Sequence, residues 1–204
     1  MTVDAYGTLV SLDDPVPRLR QALRAQGVER SEAEVARAFA AEVAYYVPLS
    51  YEGRDEATLA LLRRDCAAVF LDAAGAELEP ESFAADFLRS LVFRPLPGAE
   101  DACRALRERG IRLAVVSNWD VGLHEHLAVL RLDRLVDAVV TSAEAGAPKP
   151  DTAVWRLALE RLGGAAPERS VHVGDSGVDA EGAAAAGLRF EPAPLAGAAA
   201  RILA

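Results

Sequence analysis

Asp4, the pair Ser117-Asn118, Lys149 and Asp175 each follow a run of apolar residues that reads as a strand. In an open parallel sheet, ligands bind beyond the carboxyl ends of the strands. These residues are therefore the first to examine for shared chemistry. Asp4 and Asp175 are two carboxylates that repel each other unless a cation lies between them. A set of oxygen ligands with one or two carboxylates favours Mg²⁺, which keeps several of its waters. Ser117 offers a hydroxyl, and Lys149 offers a compact positive charge. Gly7-Thr8, a few residues after Asp4, supplies backbone N–H groups in a tight loop, which suits an anion. A metal ion, an ammonium and loop amides around a carboxylate make a phosphoryl site. Asp179 fits the first turn of a helix, where a carboxylate favours the helix dipole.

The composition sharpens this reading. Lys149 is the only lysine and Asn118 the only asparagine in 204 residues that otherwise use Arg as the cation. Taken singly, Asp4 and Asp175 fit turns, Ser117 fits a helix cap and Lys149 fits a solvated surface. It is the order, each residue after a strand, that joins them into one site. The net charge of −9, with no basic stripe, argues against a nucleic-acid or anionic-membrane partner. A phosphate dianion would need a local positive field to enter. No run of 18 apolar residues is present, so no membrane-spanning helix is expected. Met1 to Asp4 has neither the basic nor the apolar region of a signal peptide. Cys66 and Cys103 form no metal or redox motif and are expected to be buried, which fits a reducing cytoplasm. His124 and His126 point different ways on a helix and form no metal pair, and His172 is expected to pack in the core. Nothing in the sequence marks an oligomeric state.

Stepping outward from these residues, strands and helices alternate from residue 99 onward. The spacing predicts helices over 99–109, from Asp120 to about 130, from Pro150 to 162 and over 178–186. Strands are predicted over 111–116, 136–141 and 170–173, with a weak one over 188–190. This rhythm predicts an α/β fold, a Rossmann-like parallel sheet with helices on both faces. Residues 18–25, 32–47, 57–73 and 80–91 carry helical periodicity with no clear strand between them. Turn-rich stretches at Asp13-Asp14-Pro15 and Arg94-Pro-Leu-Pro-Gly98 bracket this segment. The expected organisation is a core of residues 1–12 and 93–204 with an all-helical domain, 13–92, inserted after the first strand.

With these motifs placed, the sequence resembles the haloacid dehalogenase-like hydrolase superfamily. Asp4-Ala-Tyr-Gly-Thr-Leu9, Val115-Val-Ser-Asn118, Lys149 within Ala143-Glu-Ala-Gly-Ala-Pro-Lys-Pro-Asp151, and Gly174-Asp-Ser-Gly-Val-Asp179 look like its four motifs in order. The helical segment corresponds in type and position to the family's cap. The resemblance implies Asp4 as nucleophile, with Thr8, Ser117 and Lys149 binding the phosphoryl or carboxylate group and Asn118 orienting nucleophile or substrate. It implies Mg²⁺ held by Asp4, Asp175 and the carbonyl of Tyr6, with Asp179 as a further ligand or just behind. The implied reaction is in-line attack by Asp4 on a small phosphorylated metabolite, followed by hydrolysis of an aspartyl-phosphate.

The sequence departs from the family's phosphatases in two places. They usually carry a second Asp two residues after the nucleophile, as acid and base. Here that position is Tyr6, and a phenol is a poor base at neutral pH. Tyr at this position also looks like the true 2-haloacid dehalogenases, which need no metal. Those enzymes carry an uncharged residue where this chain has Asp175. A metal-independent 2-haloacid dehalogenase, and a phosphate-binding protein with little turnover, therefore stand as alternatives. Second, only Met1, Thr2 and Val3 precede Asp4, so its strand is expected to be short. Tyr45, Tyr46, Tyr51, Arg54 and Trp119 are candidates to border the substrate.

Overall fold

A computed structural model describes residues 1–204. The chain divides into two compact units, Met1–Ser11 with Arg94–Ala204, and Leu12–Phe93. The first is built on a five-stranded parallel sheet in the order β5-β4-β1-β6-β7. Its strands are β1 (Thr2–Val3), β4 (Ala114–Ser117), β5 (Ala138–Thr141), β6 (Val171–Gly174) and β7 (Arg189–Pro192). A separate two-stranded sheet pairs β2 (Val10–Leu12) with β3 (Phe93–Pro95), and the boundary between the units runs through both strands.

β1 is central, and its register opposes Val3 to both Val115 and Val173. The residues that follow these strands therefore emerge together at one sheet edge. α8 (Ala153–Arg161) and α9 (Gly177–Ala185) cover one face, where Trp155, Ala158, Leu159 and Ala183 pack on Ala114, Val116 and Val140. α5 (Ala99–Glu108) and α10 (Leu195–Leu203) lie outside that cluster and pack on each other, with α10 also reaching β6 and β7. Two short helices, α6 (Leu123–Val129) and α7 (Ser142–Ala145), complete the connections after β4 and β5. No helix is long and apolar enough to cross a membrane.

The expected first strand of the 99–204 region is shorter than its apolar run. Residues 111–113 lie outside β4 because their hydrogen bonds go elsewhere. The Ile111 N–H caps α5 at the Leu106 carbonyl, and the Leu113 N–H donates to Asp137. Pro150 does not open α8. It follows a cis peptide bond and sits in a turn, which the Asp151 carboxylate holds by accepting from the Ala153 N–H at 2.8 Å.

The second unit holds α1 (Val16–Ala25), α2 (Glu32–Leu49), α3 (Glu56–Ala73) and α4 (Pro80–Ser90). Ser31 and Asp55 open α2 and α3 with capping boxes, in which side chain and backbone satisfy each other's free groups. Leu19, Leu23, Val35, Ala38, Phe70, Phe83 and Phe87 form the core, with Tyr45 and Tyr46 packed against it. Arg54 pairs with Glu52. Cys66 and Cys103 are free and buried.

Glu42 is an acid on an otherwise apolar face. It shares the buried side of α2 with Val35 and Ala38 and is 4% exposed. Burial pushes its carboxyl up from 4.5 to about 7, and a hydrogen bond from the Cys66 thiol only partly opposes this. A group that binds its proton more tightly when folded lowers stability as pH rises. The loss begins above the ordinary value of 4.5 and is complete above about 7. Its size is roughly 3 kcal/mol. Glu42→Gln is therefore expected to change little at pH 4 and to raise the unfolding free energy at pH 8 by up to that amount. Urea denaturation at the two pH values checks this, and an equal effect at both would contradict it.

Candidate active site

Asp4 follows β1 directly, and its N–H donates to the Val173 carbonyl at 2.8 Å, so the sheet itself aims it. It is buried. Ser117 Oγ, at the end of β4, donates to Asp4 Oδ1 at 3.2 Å, and Lys149 Nζ donates to the same oxygen at 2.6 Å. Oδ2 of Asp4 accepts neither bond. Burial raises the Asp4 carboxyl to about 6. Lys149 opposes the rise, while Asp179 and Asp175 add to it.

Lys149 uses all three of its N–H donors. They go to Asp4 Oδ1, to Asp179 Oδ1 at 2.6 Å and to the Val116 carbonyl at 3.2 Å. Burial disfavours its charge, but the two carboxylates outweigh this and hold its pKa above the ordinary lysine value. Asn118 fixes the backbone of the same residue. Its Oδ1 accepts from the Lys149 N–H at 2.6 Å, and its Nδ2 donates to the Lys149 carbonyl at 3.2 Å. The lone asparagine and the lone lysine thus meet, with the amide of one clamping the peptide of the other. Both bonds go to backbone, and neither goes to Asp4.

Asp175 is exposed and lies beside the Asp4 loop, so that carboxylate oxygens of Asp4, Asp175 and Asp179 fall within 4.8 Å of one another. Gly7 makes this approach possible. It adopts φ +79°, and a Cβ on it would lie 2.0 Å from Asp175 Oδ2. Gly7 does not offer its N–H to an anion as expected, because that group donates to the Val10 carbonyl at 2.9 Å. The tight loop binds its own amides, with Leu9 and Val10 both donating to Ala5 at 2.8 Å. The Tyr6 carbonyl accepts none of these bonds, and the Tyr6 side chain is 52% exposed. Thr8 is fully buried, and its hydroxyl has no partner.

Asp179 sits in the first turn of α9, as its spacing suggested, and both of its oxygens are occupied. Oδ1 accepts from Lys149 and from His172 Nε2 at 3.1 Å, and Oδ2 accepts from the Ser176 N–H at 3.2 Å and from its hydroxyl. Burial alone would raise its pKa. The His172 bond and the Lys149 charge reverse this and hold the carboxyl well below the usual range. Both carboxylate oxygens of Asp179 are thus already engaged by the chain's own donors. His172 is buried, as expected for a core residue, and Thr2 is buried beside it. They join the site only through strand register, which sets Thr2 against His172. Trp119 is buried, and His124 pairs with Glu144 at 3.1 Å.

Three carboxylates against one ammonium leave two uncompensated negative charges at this sheet edge. Gly7→Ala tests how closely the arrangement is set. The new methyl would strain the positive-φ backbone by about 1–2 kcal/mol and push Asp175 aside. A displacement near 1 Å at such a site costs about 10²-fold in rate, so hydrolysis should fall by that order while circular dichroism stays unchanged. Parental activity in the variant would show that Asp175 need not sit against Gly7.

Residues 1–187 match the haloacid dehalogenase-like hydrolase family. Over 104 residues the chain is 43% identical to human haloacid dehalogenase-like hydrolase domain-containing protein 3, covering 50% of this chain and 41% of that protein. Over 95 residues it is 41% identical to a phosphoglycolate phosphatase of Cereibacter sphaeroides, covering 46% of this chain and 42% of that enzyme. The matched stretch is thus about two-fifths of the length of each of these relatives. The Bacillus subtilis hydrolase YfnB, solved bound to magnesium, shares the fold with a TM-score of 0.71 and 20% identity, over 93% of this chain and 85% of that one. Because the family pattern runs from residue 1 through the helical segment to residue 187, the chain belongs to the haloacid dehalogenase-like hydrolases.

Proposed function

We propose that this hydrolase is a Mg²⁺-dependent phosphatase of a small phosphorylated metabolite, acting through an aspartyl-phosphate on Asp4. The observation that carries the reading is the grouping of three carboxylates within 4.8 Å of one another, only two of them paired with the single ammonium. The local charge excess of two suits a divalent cation. Two oxygens on one Mg²⁺ at about 2.0–2.1 Å lie about 2.9 Å apart when adjacent and about 4.2 Å apart when opposite, so the carboxylates, within 4.8 Å of one another, need to close by at most about 2 Å. The close seat of Asp175 on Gly7 also fits this use. We assign the ion to Asp4, Asp175 and the free carbonyl of Tyr6, with Asp179 behind them. When bound, Mg²⁺ lowers the repulsion between Asp4 and an incoming dianion.

The chain's own groups do the rest. Asp4 attacks phosphorus through a carboxylate oxygen, the bond to the leaving oxygen breaks, and that oxygen takes a proton from water. Water then hydrolyses the acyl phosphate and regenerates Asp4. Ser117 Oγ and Lys149 Nζ already converge on Asp4 Oδ1, and both would exchange that bond for one to a phosphoryl oxygen once the group is attached to Asp4. The partnerless Thr8 hydroxyl is a further donor near the loop. We propose that the helical unit, 12–93, serves as the cap that selects the substrate. The phosphatase named among the relatives supports phosphoryl chemistry.

Tyr6 within Asp4-Ala-Tyr-Gly-Thr-Leu9 favours 2-haloacid dehalogenation as a second reading. The carboxylate of Asp175 weighs against it, since it would repel a haloacid anion. An aryl phosphate and 2-chloropropionate, each assayed with Mg²⁺ and with chelator, separate these readings. Aryl phosphate hydrolysis that Mg²⁺ restores after chelation is expected. Chelator-resistant halide release would establish the dehalogenase instead, and binding of phosphate without turnover would indicate a binding protein.

A further inference from the structure

Behind the site lies a buried chain of hydrogen bonds that the reaction does not itself use. Thr2 Oγ1 lies 2.9 Å from His172 Nδ1, and His172 Nε2 lies 3.1 Å from Asp179 Oδ1, with Thr2 and His172 fully buried. Asp179 Oδ1 in turn accepts from Lys149, which donates to Asp4 Oδ1. Only one assignment of protons satisfies these contacts with a neutral ring. If Nδ1 carried the proton, the lone pair of Nε2 would face a carboxylate oxygen at 3.1 Å. The Nε2–H form instead donates to Asp179 and leaves Nδ1 to accept from the Thr2 hydroxyl. Trp155 meets the imidazole edge-on, with ring centroids 5.2 Å apart and an interplanar angle of 89°, which holds the ring in that plane.

We infer that Thr2 and His172 are positioning residues: the Thr2 hydroxyl fixes the Nε2–H tautomer of His172, which holds Asp179 so that Lys149 is aimed at Asp4. A neutral donor suits the place. It orients Asp179 without adding a second buried cation beside Lys149, so the carboxylate keeps its charge for the ammonium. Burial, which holds the imidazole pKa below its ordinary value, agrees with this. Outer partners of this kind are worth about 10–100-fold at functional sites. The kinetic consequence rests on the phosphatase reading, but the tautomer does not.

The test combines both. The full chain contains three histidines, so nitrogen-15 spectra of the imidazoles, with His172 assigned by its loss in His172→Gln, read the tautomer directly. A protonated Nε2 and an unprotonated Nδ1 at pH 7 are expected. An Nδ1–H ring, or an imidazolium, would overturn the inference whether or not the protein hydrolyses anything. Thr2→Val keeps the shape and removes the donor. It should mix the two tautomers and lower kcat on an aryl phosphate about tenfold with KM within about twofold. His172→Gln, whose amide can reach Asp179, should retain several-fold more kcat than His172→Asn, whose amide reaches only toward Thr2. Equal kcat in the Gln and Asn variants would show that His172 merely fills space, and an unchanged tautomer in Thr2→Val would show that the Thr2 hydroxyl does not fix it. Wild-type protein with the expected tautomer but no turnover would count against the phosphatase reading alone.

Discussion

Asp4→Asn is expected to abolish hydrolysis, with a loss of about 10⁴-fold or more, because Asp4 is the carboxylate on which Ser117 and Lys149 converge. The same variant should not lose stability. Asp4 binds its proton more tightly folded than unfolded, with a pKa raised from 3.8 to about 6 by burial first and by its acidic neighbours after that. Its charge therefore lowers stability progressively from pH 3.8 to about 6, and the full penalty persists above. Removing that charge at pH 7.5 in chelator should leave Tm equal to the parent or higher. Loss of activity together with a large fall in Tm would mean that Asp4 is a structural group, and retained activity would remove it from the reaction.

Lys149→Met is expected to damage both the fold and the site. The ammonium is the only cation bonded to the buried carboxylates of Asp4 and Asp179. Breaking a buried ion pair by deleting one partner costs about 3–5 kcal/mol, which corresponds to a fall in Tm of roughly 6–20 °C for a chain of this size. Hydrolysis should be lost as well. The double variant Lys149→Met with Asp4→Asn should recover part of the lost stability, because one of the stranded charges is gone, and such coupling is what a double-mutant cycle measures. Lys149→Arg should not rescue turnover, since a planar fork cannot replace an ammonium that donates along three directions. Thermal unfolding and turnover of these variants check the claim. A single variant as stable as the parent would show that the carboxylates do not depend on Lys149.

Much of this arrangement was legible in the residues themselves. Asp4, Ser117, Lys149 and Asp175 could be placed because each follows an apolar run, and a parallel sheet delivers such residues to one edge. The single lysine and the single asparagine stood out for the same reason, although the bond between the Asn118 amide and the Lys149 backbone needed the folded chain. What could not be read depended on partners distant in sequence. The Thr2–His172 contact spans 170 positions, and nothing in either residue type announces it. The occupied Gly7 N–H follows from a loop that closes on Ala5 and Val10. Residues 111–113 look like strand yet bond to Leu106 and Asp137, since apolar character marks burial rather than pairing. β2 and β3 are three residues each, too short to show alternation. The Ala-rich α10 carries few of the large side chains that mark a buried helical face.

A crystal structure of the full chain grown with Mg²⁺ and beryllofluoride would locate the nucleophile and the metal together. Beryllofluoride binds a carboxylate oxygen as a mimic of its phosphorylated form. It is expected on a carboxylate oxygen of Asp4, with Lys149 and Ser117 on its fluorides and one metal ion shared between Asp4 and Asp175. Crystals that show Asp4 unmodified at saturating beryllofluoride, or a metal ion bound away from Asp175, would contradict it.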